Sequence, residues 1–443
     1  MRNNESVSAY VPLLAKLEFE RDASNDFVEG HGIYSVDRNG QELMEGFSVF
    51  FSMALGHDNA KVKQAIVDQL NKLPIYAGGL HNTSDPALRL AEKLRQICPI
   101  EQAFVSYATS GSEAIDHLMK FMLVGNQYGG RAGRRRIISH TAEYHGSTTS
   151  TFALTYKSRA QSWGVSTDHS VQIAEPRWPR EAEAGESEED YTNRLVSELR
   201  QAIKIAGAET IGGFIAEPVS MHGGLWRAPK DYWAKVQDTL REFEIDLYLD
   251  EVISGFGRFG PFFAAEVAGI DADAIVCAKG LTSGYQPLAA LLMSNRFYDR
   301  LKNGSRETGG FFHGATFAGH PLASAAALAV IDEMEGWVLN HAEAMTPIFA
   351  AHVDEIARHN HVLEARQRGL CAAFDLVDAT PDDLYRFYLA AREAGVHVRP
   401  YATHFVIAPP LVSTEQELCK LRDRILDALD KYDKTPERVR QFT

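Results

Sequence analysis

The chain has 443 residues, 45% hydrophobic and 23% charged, which is enough to bury a large core divided over two or more domains. Its 45 Lys and Arg against 59 Asp and Glu leave a net charge of −14, which speaks against nucleic acid or an anionic membrane as the main partner. Small-molecule substrates remain open, because a local basic pocket can sit on an acidic surface.

The four cysteines, Cys98, Cys277, Cys371 and Cys419, are widely spaced, with neither a CxxC pair nor a Cys/His ligand pattern. They read as reduced thiols, not as disulfides or a metal site. The stretch 1–22 lacks the basic start and long apolar run of a signal peptide, and no run approaches the length of a membrane span. The expected location is the cytoplasm.

Along the chain, 32–47 reads as two short strands around the turn Asp37-Arg38-Asn39-Gly40. The stretches 60–72 and 86–97 carry helical spacing of apolar residues. From 103 onward short apolar runs (103–107, 136–139, 212–216, 245–249, 273–277 and 288–293) alternate with helical stretches at 113–124, 193–206 and 231–243. Strand–helix alternation predicts a largely parallel sheet covered on both faces, with an antiparallel edge from the last two runs. The acidic, Pro- and Gly-containing segment 175–191 reads as a solvated connection. Beyond about 320 a long helix opens a second, smaller α+β unit. The expected division is 1–60 as part of the small domain, 61–320 as the large domain and 321–443 as the small domain.

Several strand ends carry chemistry-bearing residues. The run 103–107 passes through Ser110-Gly111-Ser112 into a helix, a junction whose exposed N–H groups can hold an anion and which also reads as a helix cap. It is neither GxGxxG nor a Walker A loop. Tyr144, His145 and Gly146 follow the run 136–139, where an aromatic could stack on a flat ligand or simply pack in a loop. The run 245–249 ends in Asp250-Glu251, placed to meet a ligand beyond the carboxyl end of a strand. A divalent metal is the competing reading there, without a third ligand at a supporting spacing. The apolar run 273–277 ends at Lys279, either a nucleophilic amine with a lowered pKa or a lysine snorkelling to solvent. Together, an anion cradle, an aromatic platform, a buried carboxylate and a strand-end amine form the set that pyridoxal phosphate needs.

The sequence resembles the class III aminotransferases, the ω-amino acid and amine:pyruvate-type group of fold-type I pyridoxal-phosphate enzymes. The matching stretches are SGSEA (110–114), YHG (144–146), AEPV (216–219), LDEVISGFGRFG (249–260), AKGLTSGYQP (278–287) and HGATFAGHPLASAAALA (313–329), in the family's order over about residues 30–430. The resemblance implies an α/β fold: a large domain with a mostly parallel, mixed seven-stranded sheet flanked by helices, and a smaller α+β domain built from both termini. It implies that Lys279 holds the cofactor as a Schiff base and shuttles the substrate proton, and that Asp250 pairs with the pyridine nitrogen. Gly111 and Ser112 would hold the phosphate, Tyr144 would stack on the ring beside His145, and Glu217 would support the cofactor. Thr316 would reach the phosphate of the partner subunit's cofactor, in a homodimer or tetramer with shared active sites. Arg399, in the stretch 397–414, would anchor a keto-acid carboxylate, or lie as a surface arginine at a strand end.

The departures concern the substrate side: Phe259 after GFGR, Trp226-Arg227-Ala228 where many members carry an aliphatic residue followed by prolines, and an aromatic stretch at 48–57. Trp226 is the expected pocket residue among them. The activity expected is amino-group transfer from an amine or ω-amino acid to a keto acid, pyruvate by preference, through a ping-pong cycle. An aminomutase, racemase or decarboxylase on the same fold, or a catalytically silent binding protein, are the alternatives.

Overall fold

The computed structural model describes residues 26–79 and 81–432; the signal-peptide reading falls on 1–22, outside them. The chain divides into two compact units: described residues 26–59 with 340–432, and Ala60–Leu339.

The smaller unit opens with β1 (Phe27–His31), β2 (Tyr34–Asp37) and β3 (Glu42–Glu45) as an antiparallel meander. The β2–β3 turn forms where the sequence predicts it. Asp37 accepts the N–H groups of Asn39 (2.8 Å) and Gln41 (2.9 Å), and Gly40 takes the left-handed φ of +81° that this reversal requires.

The larger unit carries β4 (Phe104–Ala108), β5 (Arg136–His140), β6 (Ser170–Ile173), β7 (Ile211–Ala216), β8 (Asp246–Asp250), β9 (Ala274–Cys277) and β10 (Ala289–Met293) in one seven-stranded sheet, ordered β4-β10-β9-β8-β7-β5-β6. Neighbours from β9 to β6 pair in parallel, whereas β10 is antiparallel to both β9 and β4. The antiparallel strand thus lies inside the sheet, with β4 outside it, and not at the edge. The short β9–β10 connection returns without a crossover helix, which only an antiparallel neighbour allows. β6, which the apolar-run reading passed over, is four residues (SVQI) flanked by polar chain.

The helix Gly111–Tyr128 packs Ala114, Ile115, Leu118, Phe121 and Met122 into a core with Ile215, Tyr248, Val276 and Leu291 of the sheet. Those positions repeat at helical spacing, so one stripe faces the sheet. Each fully buried aliphatic or aromatic side chain contributes about 1.5–3 kcal/mol. The helix Pro321–Glu333 groups with this unit, whose boundary falls at Leu339, not at 320. Its buried small residues Ala323, Ser324, Ala326 and Ala327 let it lie close against the helices Ala60–Lys72 and Asp85–Ile97. In 175–191 most residues are solvent-accessible as expected, but Glu175 is buried.

The chain returns to the smaller unit with β11 (Val362–Arg368), β12 (Cys371–Leu376), β13 (Val396–His397), β14 (Arg399–Pro400) and β15 (His404–Ile407). β13 joins the N-terminal meander by parallel pairing with β3, so both ends of the chain build this unit. The other sheet runs β11-β12-β15-β14.

Candidate active site

Because β4 and β9 are both antiparallel to β10, they run in the same direction, as do β5, β6, β7 and β8. Their carboxyl ends therefore share one edge of the sheet, where open α/β sheets bind ligands. The residues that leave this edge are Gly111 and Ser112 after β4, His145 after β5, Glu217 after β7, Asp250 ending β8 and Lys279 just past β9. The register Asp250↔Val276 sets the ends of β8 and β9 side by side.

At the β4 end, Ser110 caps the helix by accepting the Glu113 N–H at 3.2 Å, and Glu113 accepts both the N–H and the hydroxyl of Thr109 at 2.6 Å. Capping engages Glu113, leaving the Gly111 and Ser112 N–H groups without intrahelical acceptors at the positive end of the helix. A side chain at Gly111 would come 2.8 Å from Val252 Cγ2, so glycine keeps the helix start against the turn after β8. The Ser112 hydroxyl accepts the Ser147 N–H at 3.2 Å, and a side chain at Gly146 would meet that hydroxyl at 2.7 Å. The YHG turn and the SGSEA turn therefore form one cradle.

Asp250 is buried, 4% exposed. One of its oxygens accepts the Val252 N–H at 3.1 Å, and the other lies 3.0 Å from Nδ1 of His145. The far nitrogen of His145 stands 3.5 Å from Glu143. Glu143 also accepts the Glu217 N–H at 3.1 Å and lies 2.9 Å from His140, whose other nitrogen is 2.9 Å from the Tyr232 hydroxyl. Burial opposes charge on His145, but the hydrogen bond to Asp250 and the negative charge of Glu143 outweigh it and raise its pKa to about 10. Burial likewise works against Glu143, and His140 and His145 overcome it, holding the carboxyl at about 2. Glu217 goes the other way. Burial, with Glu143 and Asp250 nearby, pushes its carboxyl well above the ordinary range, and it accepts the Met221 N–H at 2.9 Å.

Glu251, beside Asp250, is engaged elsewhere. Its carboxylate accepts the N–H groups of Ala264 (2.6 Å) and Ala265 (2.8 Å) and the Ser254 hydroxyl (3.0 Å). Burial raises it to about 7 despite those bonds. Among the described residues no cluster of three or more His, Cys, Asp or Glu is arranged to hold a metal ion. Lys279 is half-buried and adopts φ of +44°, a left-handed conformation costing a non-glycine residue about 1–2 kcal/mol. Strain of this kind collects where a side chain must be aimed.

Tyr144 is half-buried and stacks on His222 (5.7 Å between centroids, 26° between planes), which is hydrogen-bonded to the Tyr156 hydroxyl at 2.9 Å. Trp226 is 3% exposed beneath the Arg180 guanidinium, 4.9 Å from its ring centre. Thr316 is exposed in the single chain, as are Phe311, Phe312 and Phe317 around it. Arg399 belongs to the smaller unit, where its guanidinium lies 5.2 Å from the Phe50 ring and 5.0 Å from Tyr401. The structure thus gathers Gly111, Ser112, His145, Glu217, Asp250 and Lys279 on one sheet edge, and leaves Thr316 on the surface of its unit. Sequence reasoning missed Glu143, His140, Tyr232 and His222. Two histidines and a glutamate within six residues of the end of a buried strand, RIISHTAEYHG, were the available signal for the first two.

Residues 19–429 match the family model for aminotransferase class-III. The chain is a class III aminotransferase. It is 33% identical over 411 residues to an uncharacterized aminotransferase of Sinorhizobium fredii (88% of this chain, 86% of that one). It is 31% identical over 423 residues to a probable mitochondrial gamma-aminobutyrate transaminase of Oryza sativa (93% and 82%). Among solved structures, the omega transaminase of Pseudomonas jessenii in complex with PMP superposes with a TM-score of 0.89 at 34% identity, covering 92% of this chain and 93% of that one. The PMP-bound aminotransferase of Vibrio fluvialis gives 0.89 at 30%, covering 94% and 93%. This class III aminotransferase is accordingly a pyridoxal-phosphate-dependent, fold-type I enzyme. The donor set fits that cofactor: helix N–H groups for a phosphate, a buried anion for a pyridinium, and a strand-end amine for an aldehyde. Among the described residues no helix is long and apolar enough to cross a membrane.

Proposed function

We propose that this aminotransferase takes its amino group from an amine or ω-amino acid and delivers it to a keto acid, with pyruvate preferred, in a two-stage ping-pong cycle. When bound, pyridoxal phosphate supplies an electron sink for the bond broken at the substrate's α-carbon. In this reading Lys279 binds the cofactor and carries the proton between substrate and cofactor carbon. Asp250, hydrogen-bonded to His145, faces the ring nitrogen. Gly111 and Ser112 receive the phosphate, Tyr144 flanks the ring, and Glu217 supports the cofactor beside it. The observation that carries the reading is the emergence of Asp250 and Lys279 from the paired ends of β8 and β9.

On the substrate side we assign Arg399 to the carboxylate and Trp226 to the pocket wall. Among the described residues Arg399 has aromatic rings as neighbours and no carboxylate in a salt bridge, which leaves its planar fork available for a bidentate partner. The exposed Phe311, Phe312 and Phe317 beside Thr316 support a homodimer in which that loop meets the second copy. The four free thiols support a reducing, cytoplasmic setting.

A donor and acceptor screen tests the reading. The holoenzyme is offered arylalkylamines and ω-amino acids as donors against pyruvate or 2-oxoglutarate, with each half-reaction followed by the absorbance of bound cofactor. Stoichiometric alanine formation from pyruvate is expected. Transfer to 2-oxoglutarate alone, or no transfer from any donor, overturns it.

A further inference from the structure

His145 has no exposed side-chain surface and stands between two carboxylates, with Nδ1 3.0 Å from Asp250 and Nε2 3.5 Å from Glu143. A neutral imidazole carries one N–H, so it would turn a lone pair toward one of these buried anions. An imidazolium presents an N–H to each, as a hydrogen bond to Asp250 and as a 3.5 Å ion pair with Glu143. Glu143 is itself fixed from three directions, by the Glu217 N–H after β7, by His140 at the end of β5, and through His140 by Tyr232 at the start of the helix Tyr232–Glu242. The Glu217 carboxyl also acts on His145 electrostatically, and burial, with Glu143 and Asp250 nearby, pushes its pKa well above the ordinary carboxyl range. The His145 backbone N–H is anchored separately, on the Thr155 hydroxyl at 2.8 Å.

We propose that Glu143 is a positioning residue of this enzyme: it keeps His145 doubly protonated, and His145 in turn holds the Asp250 carboxylate aimed at the ring nitrogen of the cofactor. The inference rests on the reading that Asp250 faces that nitrogen, and it adds a residue that touches neither substrate nor cofactor. Removing the Glu143 charge leaves His145 with one anionic partner. Its proton affinity then falls about 10- to 1000-fold, the usual effect of one close opposite charge in a buried site. Asp250 loses part of its cationic support, and its electrostatic hold on the ring nitrogen weakens.

The test is a pH titration of the holoenzyme labelled with ¹⁵N-histidine, with the His145 signals assigned by their loss in His145→Asn. In the wild type both ring nitrogens stay protonated through pH 8. In Glu143→Gln, which keeps the side-chain shape, His145 titrates 10- to 1000-fold more readily, kcat falls while KM for both substrates holds, and the pH profile of bound-cofactor absorbance shifts. A neutral His145 tautomer in the wild type at pH 7 overturns the proposal without any variant, so poor folding of Glu143→Gln does not shield it. An unchanged His145 titration in a folded Glu143→Gln overturns it equally. Failure of the cofactor reading is distinguishable, since it would appear as absent cofactor binding while the histidine signals still report.

Discussion

The imidazole of His145 and the carboxylate of Asp250 meet at 3.0 Å, one leaving the end of β5 and the other ending β8. These strands are not neighbours: β7 lies between them. The contact therefore bridges the strand edge and makes Asp250 part of a buried charge set. Replacing the carboxylate by an amide keeps its shape and removes the charge. Asp250→Asn is expected to lower kcat about 10²- to 10³-fold, the range for loss of one pre-oriented electrostatic partner. Steady-state kinetics of the reconstituted variant checks it, and a wild-type kcat would remove Asp250 from the chemistry.

His145 and Glu143 set a pH dependence. His145 holds its proton to about 10, above its ordinary 6.5, so its contribution to stability is complete below pH 6.5 and is lost as pH rises toward 10. Glu143 is held at about 2, below its ordinary 4.5; its contribution is complete above pH 4.5 and is lost as pH falls toward 2. The urea midpoint of the wild type should therefore exceed that of His145→Asn by most below pH 6.5, with the gap closing toward pH 10. A constant gap over that window contradicts the imidazolium.

Gly111 is under a steric constraint from across the strand edge. An added methyl would stand 2.8 Å from Val252, forcing the helix start away from the turn after β8. Gly111→Ala should weaken cofactor binding about tenfold, roughly 1.4 kcal/mol, with little loss of fold stability, because alanine favours a helix. Gly111→Ala combined with Val252→Ala should recover the affinity. Equilibrium titration of the apoenzyme with the cofactor measures both.

The placement of these residues on one sheet edge was legible because α/β chains announce their strands as buried apolar runs, and the residues just past such runs fall on one edge. Gly111, Asp250 and Lys279 were readable for that reason. Glu143 was not: its role depends on meeting the Glu217 N–H, 74 residues away along the chain, and no local pattern encodes such a contact. β6 escaped notice because four residues in polar surroundings give no periodicity to measure. The inward position of β10 was hidden because pairing order is fixed by tertiary packing, and an isolated run does not name its neighbours.

The role proposed for Arg399 separates substrate recognition from chemistry. Arg399→Ala should raise KM for pyruvate about 10- to 100-fold, the usual range for a lost charge-assisted hydrogen bond. KM for an amine donor that carries no carboxylate should not change. Parallel kinetics with the two substrates decides the matter, and equal effects on both would show a structural role.

The most direct test of the central claim is chemical. Borohydride reduction of the holoenzyme fixes the cofactor covalently to the amine that holds it, and peptide mass spectrometry locates the label. The account predicts the label on Lys279, with Lys279→Ala unlabelled and amino transfer reduced by at least about 10²-fold. Label on another lysine, or full transfer by the alanine variant, would contradict it.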